Sequence, residues 1–303
     1  MSKLVIGYLF SGNYGKDEKI FQELAESKDV ELVIFNISNS INEKEFEDKI
    51  KRCDVVYNAT ADDYSIMFKK TIEHLGVKVM ESSDTYYYTE DKWMFYMKCK
   101  ENEIATPETI LLSTNINVAK WELKTFNKWP VILKRTFGTM GEFVEKCDNL
   151  EQAEEAIYKF WKKGTERQPI IAQEFINSPC YRVTCIGNKI MQAVIKNNNG
   201  WKATGVYAKN FARFEVDKEL ENLIKMVMRA TKIKIGGIDL LKKDGQWMVL
   251  EANSEPAFDF IEEEREKLIN NALDFLISVA ARINNRNGNG NNHEAQVAVL
   301  NNA

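Results

Sequence analysis

Three oxygen-bearing side chains interrupt or follow apolar, strand-like runs toward the carboxyl end of this chain. Asp239 lies within one run, and Glu251 and Asn253 follow the next. Between the two runs, Asp244-Gly245 is a strong hairpin signal. A carboxylate in a buried strand needs a partner, and carboxylate and amide oxygens are the ligands that Mg²⁺ prefers. The pattern predicts a metal site on a hairpin; the alternative is a hairpin with two solvated acids and an asparagine in a turn.

The number of residues in the hairpin loop decides whether the three side chains can meet. Side chains alternate between the two faces of a strand, so Glu251 and Asn253 share a face in any case. Asp239 joins them only if the loop has an odd number of residues. We expect a three-residue loop, residues 243–245, with Gly245 in the left-handed region as a bulge.

A second group of residues suggests that the ligand carries phosphate. Lys134 ends a predicted buried strand, and a loop with Gly138 and Gly141 follows at once. A lysine and backbone N–H groups can neutralise a phosphate together, and glycines let such a loop approach closely and move. The alternative here is an ordinary hairpin whose lysine extends to solvent.

Further along the chain, the residues continue the pattern of a nucleotide site. The apolar run 170–176 could offer backbone groups to adenine near Phe175. Arg182, Lys196 and Lys202 supply cations downstream, although each alone is more often a solvated surface charge. Together with the acidic hairpin, these segments predict a bound nucleotide and a metal ion.

Composition excludes several other kinds of site. The chain of 303 residues has two histidines and five cysteines without a Cys-x-x-Cys pair. These are too few residues of the required types to favour nucleophilic catalysis that depends on histidine, or a zinc site ligated by histidine. A net charge of −4 argues against general nucleic-acid binding. We find no apolar run long enough to span a membrane and no signal-peptide pattern, so we expect a cytoplasmic protein with reduced thiols.

The order of predicted elements indicates an α/β protein. Strands and helices alternate in the first part of the chain, which is typical of a small doubly wound parallel sheet. Residues 201–216 show no regular pattern, and a last helix is predicted from about 262 to 283. The Asn- and Gly-rich segment 284–303 is predicted to be a disordered tail.

The ordered set of motifs resembles the ATP-grasp superfamily, and within it the RimK-like ligases. The set is a strand lysine with a glycine loop, then Gln-Glu-Phe-Ile, then Arg-Val-Thr-Cys-Ile-Gly, then Gly-Ile-Asp and Glu-Ala-Asn-Ser-Glu-Pro. The resemblance runs from about Asp91 to Asp259 and implies a Rossmann-like domain followed by a two-subdomain ATP-grasp fold. The implied divisions are residues 1–85, residues 86–283 with a lid at about 115–176 and a C-terminal subdomain at about 177–283, and the tail 284–303.

The resemblance also implies roles for individual residues. Two lysines, a glycine flap over the phosphates and a hinge whose backbone contacts adenine would hold ATP: Lys92, Lys134, Gly138, Thr139, Gly141, Glu174 and Phe175. The implied ligands of Mg²⁺, or of Mn²⁺ in its place, are Asp239, Glu251 and Asn253. Arg182 and Lys202 fall where catalytic cations meet the γ-phosphate or the acyl-phosphate.

The sequence departs from the family pattern in three places. The acidic residue that usually holds the ribose falls at or near Cys180, and the Arg-Ser-Asn stretch of RimK is replaced by Lys-Ala-Thr at 202–204. The Ala-Ser-Pro-Gly that follows the metal asparagine becomes Ser-Glu-Pro-Ala at 254–257.

The implied activity is an ATP-dependent ligation of a carboxylate to an amine through an acyl-phosphate. The implied partners are ATP, an amino acid and a carboxylate on a peptide, protein or small molecule, with homo-oligomers common in the family and with neither nucleic acid nor membrane expected. Two alternatives are an ATP-grasp kinase of a small hydroxylated substrate and a non-catalytic nucleotide-binding module.

Overall fold

A computed structural model of the protein describes most of the chain. The described residues are 3–138, 141–163, 167–197, 200–202 and 210–300, and the side chains of residues 163, 197 and 286–300 lie outside this description. The chain divides into two compact units. The first comprises the chain up to Ser83 together with the chain from Ile261 onward, and the second runs from Asp84 to Phe260.

The first unit is built on a four-stranded sheet of parallel strands. Its elements are β1 (Val5–Phe10), α1 (Lys16–Ser27), β2 (Glu31–Asn36), α2 (Glu43–Lys51), β3 (Val55–Asn58), α3 (Ser65–His74), β4 (Val79–Met80) and α9 (Glu262–Leu300). The strand order is β2-β1-β3-β4. The strands are apolar because helices cover the sheet, which confirms the parallel sheet predicted from the alternating pattern.

The last helix belongs to this first unit, whereas the sequence places it in the ATP-grasp domain. Its first turns are held to α1 by charge: Arg265 and Lys28 pair with Asp17 and Asp274 across the two helices. The structure continues the helix to Leu300, through most of the segment whose composition predicts a disordered tail. The side chains that would test that prediction lie outside the described part.

The second unit contains two antiparallel sheets with helices on one face of each. Its elements are α4 (Ser83–Tyr87, starting at the boundary), α5 (Lys92–Glu101), β5 (Thr109–Leu112), α6 (Ile116–Phe126), β6 (Val131–Arg135), β7 (Val144–Cys147), α7 (Leu150–Lys163), β8 (Ile170–Glu174), β9 (Cys180–Ile186), β10 (Lys189–Asn197), β11 (Asn210–Arg213), α8 (Lys218–Thr231), β12 (Ile235–Lys243) and β13 (Gln246–Asn253). The four-stranded sheet has the order β5-β8-β6-β7 and the five-stranded sheet the order β11-β10-β9-β12-β13.

Each of these sheets is apolar on its helix side and carries polar residues on the other side. Helices α6 and α7 cover Val131 and Leu133 of the four-stranded sheet. Helices α5 and α8 cover Val183, Ile238 and Ala252 of the five-stranded sheet. Because side chains alternate along a strand, the residues between these positions face away from the helices.

Two predictions about elements are corrected. Strand β11 lies inside the segment predicted to be irregular, and it pairs with β10 through Lys196 and Phe211. Its four residues are mostly exposed, so they show no apolar pattern that a sequence analysis could detect. The sheet that contains β6 and β8 also begins before residue 115, where the predicted lid starts, because β5 pairs with β8. Within the described part of the chain, none of the helices has both the length and the hydropathy of a membrane span.

Candidate nucleotide and metal site

The acidic hairpin brings Asp239, Glu251 and Asn253 to one face, by a different route from the one predicted. The turn has two residues, Asp244 and Gly245, both with positive φ (51° and 83°), and Lys243 pairs with Gln246. This corrects the three-residue loop. Positive φ at both turn positions is the type I′ geometry that suits the twist of a hairpin.

The odd residue lies further along, within β13. The pairing shifts between Asp239 and Leu240: Asp239 lies opposite Glu251, whereas Leu240 lies opposite Val249. Leu250 is therefore an extra residue in β13, a bulge. Asp239 and Glu251 become direct cross-strand neighbours, and Asn253 follows two residues later on the same face.

We call the face of the five-stranded sheet opposite α5 and α8 the site face. Asp239, which is 3% exposed, receives hydrogen bonds from Lys196 Nζ at 2.8 Å to Oδ1 and 2.9 Å to Oδ2. Arg182 Nη1 donates to Asp239 Oδ1 at 3.2 Å. Lys196 and Arg182 are themselves buried, so three charges share a site of low polarity. Such a cluster is stable only when the charges compensate each other.

These cations decide the protonation of Asp239. Burial by itself would raise the pKa of this carboxyl group, but Lys196 and Arg182, with a further contribution from the neighbouring Glu251, hold the pKa below its ordinary value. Asp239 is thus ionised at neutral pH, as a metal ligand must be.

Two buried N–H groups on the site face have no partner among the described residues. They are Arg182 Nε and Asn253 Nδ2. A buried donor without an acceptor costs free energy unless a ligand accepts its hydrogen bond. Both groups could therefore donate to an anionic oxygen of a ligand. The ring of Phe260 lies 5.8 Å from Arg182 Cζ and 5.8 Å from Lys196 Nζ.

The residues present fit a divalent cation with a phosphate ligand. Asp239, Glu251 and Asn253 offer two carboxylates and one amide, a set of hard oxygen donors. Among the described residues, no group of three or more His, Cys, Asp or Glu side chains could hold a metal by itself. The remaining ligands of a bound ion would therefore come from phosphate or water.

The four-stranded sheet contributes Lys134, one of the two predicted phosphate lysines. Lys134 lies in β6 on the face away from α6 and α7, and its Nζ donates to Gln173 Oε1 at 2.9 Å. Gln173 is fixed in turn by donating to Thr109 Oγ1 at 3.0 Å. Burial lowers the pKa of Lys134 to about 8, while the charge of Glu251 opposes that shift. Lys134 is a buried cation whose hydrogen-bond partner is a neutral amide.

Lys92, the second predicted phosphate lysine, connects helix α5 to the glycine loop. Asp91 caps α5 by accepting from the N–H groups of Trp93 and Met94, which fixes Lys92 as the first residue of the helix. Lys92 Nζ donates to the carbonyl oxygen of Gly138 at 2.8 Å.

The glycines of the loop have the backbone conformation that the sequence suggests. Gly138 and Gly141 have positive φ, 136° and 71°. The predicted ATP contact at Thr139 lies outside the described residues.

The predicted adenine hinge is placed differently in one respect. The backbone N–H of Glu174 donates to Glu108 O at 2.9 Å, and that of Phe175 donates to Pro130 O at 3.2 Å. These two donors are used within the sheet and are not available to a base. The Glu174 side chain accepts from Lys243 Nζ at 2.6 Å, so it connects the two sheets.

Two further predicted positions have contrasting surroundings. Cys180, near the expected ribose contact, is buried, and burial raises the pKa of its thiol to about 12. All five cysteines are buried and free, as expected for structural thiols. Lys202 Nζ lies 5.5 Å from the ring centroid of Trp201, next to residues 203–209, which are outside the described part.

Lys196 is among the downstream cations named in the sequence analysis, but the predicted site residues do not include it. It is 4% exposed and is the nearest cation to Asp239. The sequence contains one indication of its position: Gln192, Val194 and Lys196 lie at alternate positions of β10, so they all face the same side of the sheet. Without the fold, however, that side could not be distinguished from a solvent-exposed face.

Comparison with known proteins gives the family. A model of the RimK-like ATP-grasp domain matches residues 89–278. The chain belongs to the RimK-like ATP-grasp family. The predictions of this family, of an ATP-grasp fold and of a ligase are confirmed. Members of the family use ATP and a divalent metal.

Relatives of this RimK-like chain are ligases by name. Glutamate–LysW ligase ArgX of Sulfolobus acidocaldarius is 25% identical over 255 residues, which cover 80% of this chain and 87% of that protein. Coenzyme γ-F420-2:α-L-glutamate ligase of Methanococcus maripaludis is 26% identical over 199 residues, or 64% and 68% of the two chains. The crystal structure of a RimK domain ATP-grasp protein from Sphaerobacter thermophilus matches with a TM-score of 0.71 at 14% identity, covering 89% of this chain and 98% of that one.

Proposed function

We propose that this RimK-like protein uses ATP and Mg²⁺ to join an amino acid to a carboxylate on a peptide, protein or small molecule. One observation carries the proposal: Asp239 and Glu251 lie directly opposite each other, beside two buried cations on the site face. That arrangement suits a metal-bound triphosphate. The family gives the reaction class, and the names of two relatives give glutamate as the amino acid to test first.

The proposed reaction has two steps. An oxygen of the substrate carboxylate attacks the γ-phosphorus of ATP; the bond to the β,γ-bridging oxygen breaks, giving an acyl-phosphate and ADP. The amine nitrogen then attacks the acyl carbon, phosphate leaves with the electron pair of the C–O bond, and the nitrogen loses its extra proton to give an amide. Such chemistry requires positioning and neutralisation of charge rather than a protein nucleophile.

The residues of this chain supply both requirements. Lys92 and Lys134 would hold phosphate oxygens under the loop that carries Gly138 and Gly141. Arg182 and Lys196 would neutralise charge on the transferred phosphoryl group, and we keep Lys202 as a further candidate cation.

The remaining predicted contacts concern the metal and the base. Asp239, Glu251 and Asn253 would hold Mg²⁺, or Mn²⁺ in its place. When bound, the ion would neutralise phosphate oxygens as a Lewis acid. Glu174 and Phe175 would lie near adenine. Any contact that they make with the base would use groups other than their backbone N–H groups, which already donate within the sheet. A cytoplasmic location and a homo-oligomer stay predictions.

A hydroxylamine-trapping screen tests the reaction class. Protein, ATP and Mg²⁺ are incubated with candidate carboxylates, with and without amino acids, and ADP release and hydroxamate are measured. We expect hydroxamate with the correct carboxylate alone, because an acyl-phosphate reacts with hydroxylamine. ADP release without hydroxamate would identify a kinase that makes a phosphate ester. Nucleotide binding without ADP release across the screen would favour a non-catalytic module. Glu251→Gln is the matched control for contaminating ATPase.

A further inference from the structure

A side chain at position 237 on the site face would need the space that the Arg182 guanidinium occupies. A Cβ atom built on Gly237 would lie 1.9 Å from Arg182 Nη2, 2.0 Å from Cζ and 2.1 Å from Nε. These contacts are far closer than packed atoms allow. No unusual φ is involved at this residue, so what requires glycine is the space that the Arg182 guanidinium occupies.

The strand register explains how the guanidinium reaches this space. Arg182 lies opposite Asp239, and Gly237 lies opposite Thr184, one cross-strand pair further along the same face. The Arg182 side chain therefore leans along the sheet and lies against the backbone at Gly237. From there Nη1 donates to Asp239 at 3.2 Å, while Nε has no partner among the described residues.

We propose that Gly237 is a positioning residue: its missing side chain fixes Arg182 so that Nη1 stays on Asp239 and Nε is kept for an oxygen of the γ-phosphoryl group. This inference rests on the proposed function, since it requires a nucleotide on the site face. A side chain at 237 would force the guanidinium away from both positions, because a planar group has few other conformations in a packed site. Among the described residues, Lys196 would then be the one cation left on Asp239.

The test is a double-mutant cycle that needs no knowledge of the second substrate. Gly237→Ala, Arg182→Ala and the double variant are compared in the full chain. Affinities for AMP-PNP and for ADP are measured by titration with Mg²⁺, and melting temperatures are recorded without nucleotide. The ratio of the two affinities reports the γ-phosphoryl contact alone, which a loss of general stability would not change.

We expect each single variant to reduce the preference for AMP-PNP over ADP by roughly tenfold to a hundredfold, the range for a hydrogen bond to a charged group. The double variant should lose no more than Arg182→Ala alone, because the two residues act on one contact. In the Arg182→Ala background the added methyl group meets no guanidinium, so the double variant should also melt above Gly237→Ala.

Gly236→Ala is the matched control on the same strand. Its Cβ would meet Ile233 Cδ1 at 2.1 Å and the Asn253 carbonyl oxygen at 2.7 Å, contacts that do not involve Arg182. It should lower the melting temperature equally in the presence and absence of Arg182.

The outcomes separate the inference from the proposed function. If the wild-type protein binds neither nucleotide, the proposed function fails. If it binds both and Gly237→Ala keeps the wild-type preference, the positioning role is wrong. A Gly237→Ala protein that does not fold is also decisive: folding restored by Arg182→Ala supports the clash described here, and a double variant that stays unfolded contradicts it.

Discussion

Each of the two sheets of the second unit buries a lysine near the candidate site, and the two lysines have opposite surroundings. In the four-stranded sheet, Lys134 donates to the neutral amide of Gln173, and burial lowers its pKa to about 8. In the five-stranded sheet, Lys196 donates to both oxygens of Asp239. Among the described residues, the first sheet holds a positive charge without an opposite charge in direct contact, whereas the second holds its charges as a compensated cluster.

This difference indicates how each sheet would respond to a metal-bound nucleotide. A phosphate near Lys134 would supply the missing negative charge and raise the pKa of the lysine. On the site face, a metal ion and phosphate would exchange partners with a cluster that already exists: the ion meets Asp239, and the phosphate meets Arg182 and Lys196. Because charges are exchanged there, little additional desolvation is needed.

The largest effect should follow from changing the metal carboxylates. Asp239→Asn and Glu251→Gln should each abolish ADP release, because both would remove a ligand of the ion. They should differ in stability. Asp239→Asn removes the carboxylate with which buried Arg182 and Lys196 both pair, at a cost of about 3–5 kcal/mol in the free energy of unfolding, whereas Glu251→Gln should fold normally. Urea unfolding compares them; near-normal ADP release from either variant would remove that residue from the site.

Replacing the two buried lysines by methionine is the direct test of the comparison. Lys196→Met should lower the free energy of unfolding by about 3 kcal/mol, because it removes one of two cations from a buried carboxylate.

Lys134→Met should leave stability nearly unchanged. It removes a buried charge whose lowered pKa corresponds to about 3 kcal/mol, and this gain is offset by the loss of about 1–3 kcal/mol when Gln173 loses its donor. It should nevertheless weaken ATP binding. Equal losses of stability in both methionine variants would contradict the distinction between the two sheets.

The pH dependence of ATP binding should follow the protonation of Lys134. As pH rises above about 8, the free protein loses this proton, and binding of ATP must take it up again. Affinity should then fall by up to about tenfold per pH unit. Stability without nucleotide has the opposite sign: between about pH 8 and the ordinary lysine pKa the unfolded chain binds more protons, so this lysine makes unfolding less favourable as pH rises. Calorimetric titrations from pH 7 to 9 measure the affinity, and Lys134→Arg should show a flat profile.

The smallest effect should come from the ion pair that connects the sheets. Lys243 is partly exposed, and its bond to Glu174 is of the kind that contributes at most about 1 kcal/mol. Lys243→Ala should change the free energy of unfolding by no more than that, and nucleotide affinity should be unaltered. A large loss of affinity would show that Glu174 depends on this lysine for its position.

Much of the fold was predictable because its signals are local. Strand–helix alternation predicts the parallel sheet, and Asp244-Gly245 predicts the hairpin, although the expected loop was one residue too long. What failed depends on pairing between distant strands. The backbone N–H groups of Glu174 and Phe175 donate to the carbonyl oxygens of Glu108 and Pro130. The sequence around residues 174 and 175 does not indicate these pairings.

The candidate site shows the same limit. The placement of the acidic residues in apolar runs predicts a metal site, but the bulge at Leu250 is visible only in the register of β12 and β13. Lys196 resembles any lysine near a strand end until the fold shows that its face is buried beside Asp239. Gly237 was one glycine among fifteen before its contact with Arg182 was known.

The bulge at Leu250 limits how this hairpin can change in length. Asp239 and Glu251 are separated along the chain by an odd number of residues, and they face each other only because one of those residues is not paired. If the bulge is kept, removing a single residue between them would turn the Glu251 carboxylate toward the apolar side that holds Val249 and Ala252, whereas deleting Leu250 itself would keep Glu251 opposite Asp239. Removing two would restore its direction. Natural variation in the tip of this hairpin should therefore come in steps of two residues, or in single steps matched by loss or gain of a bulge.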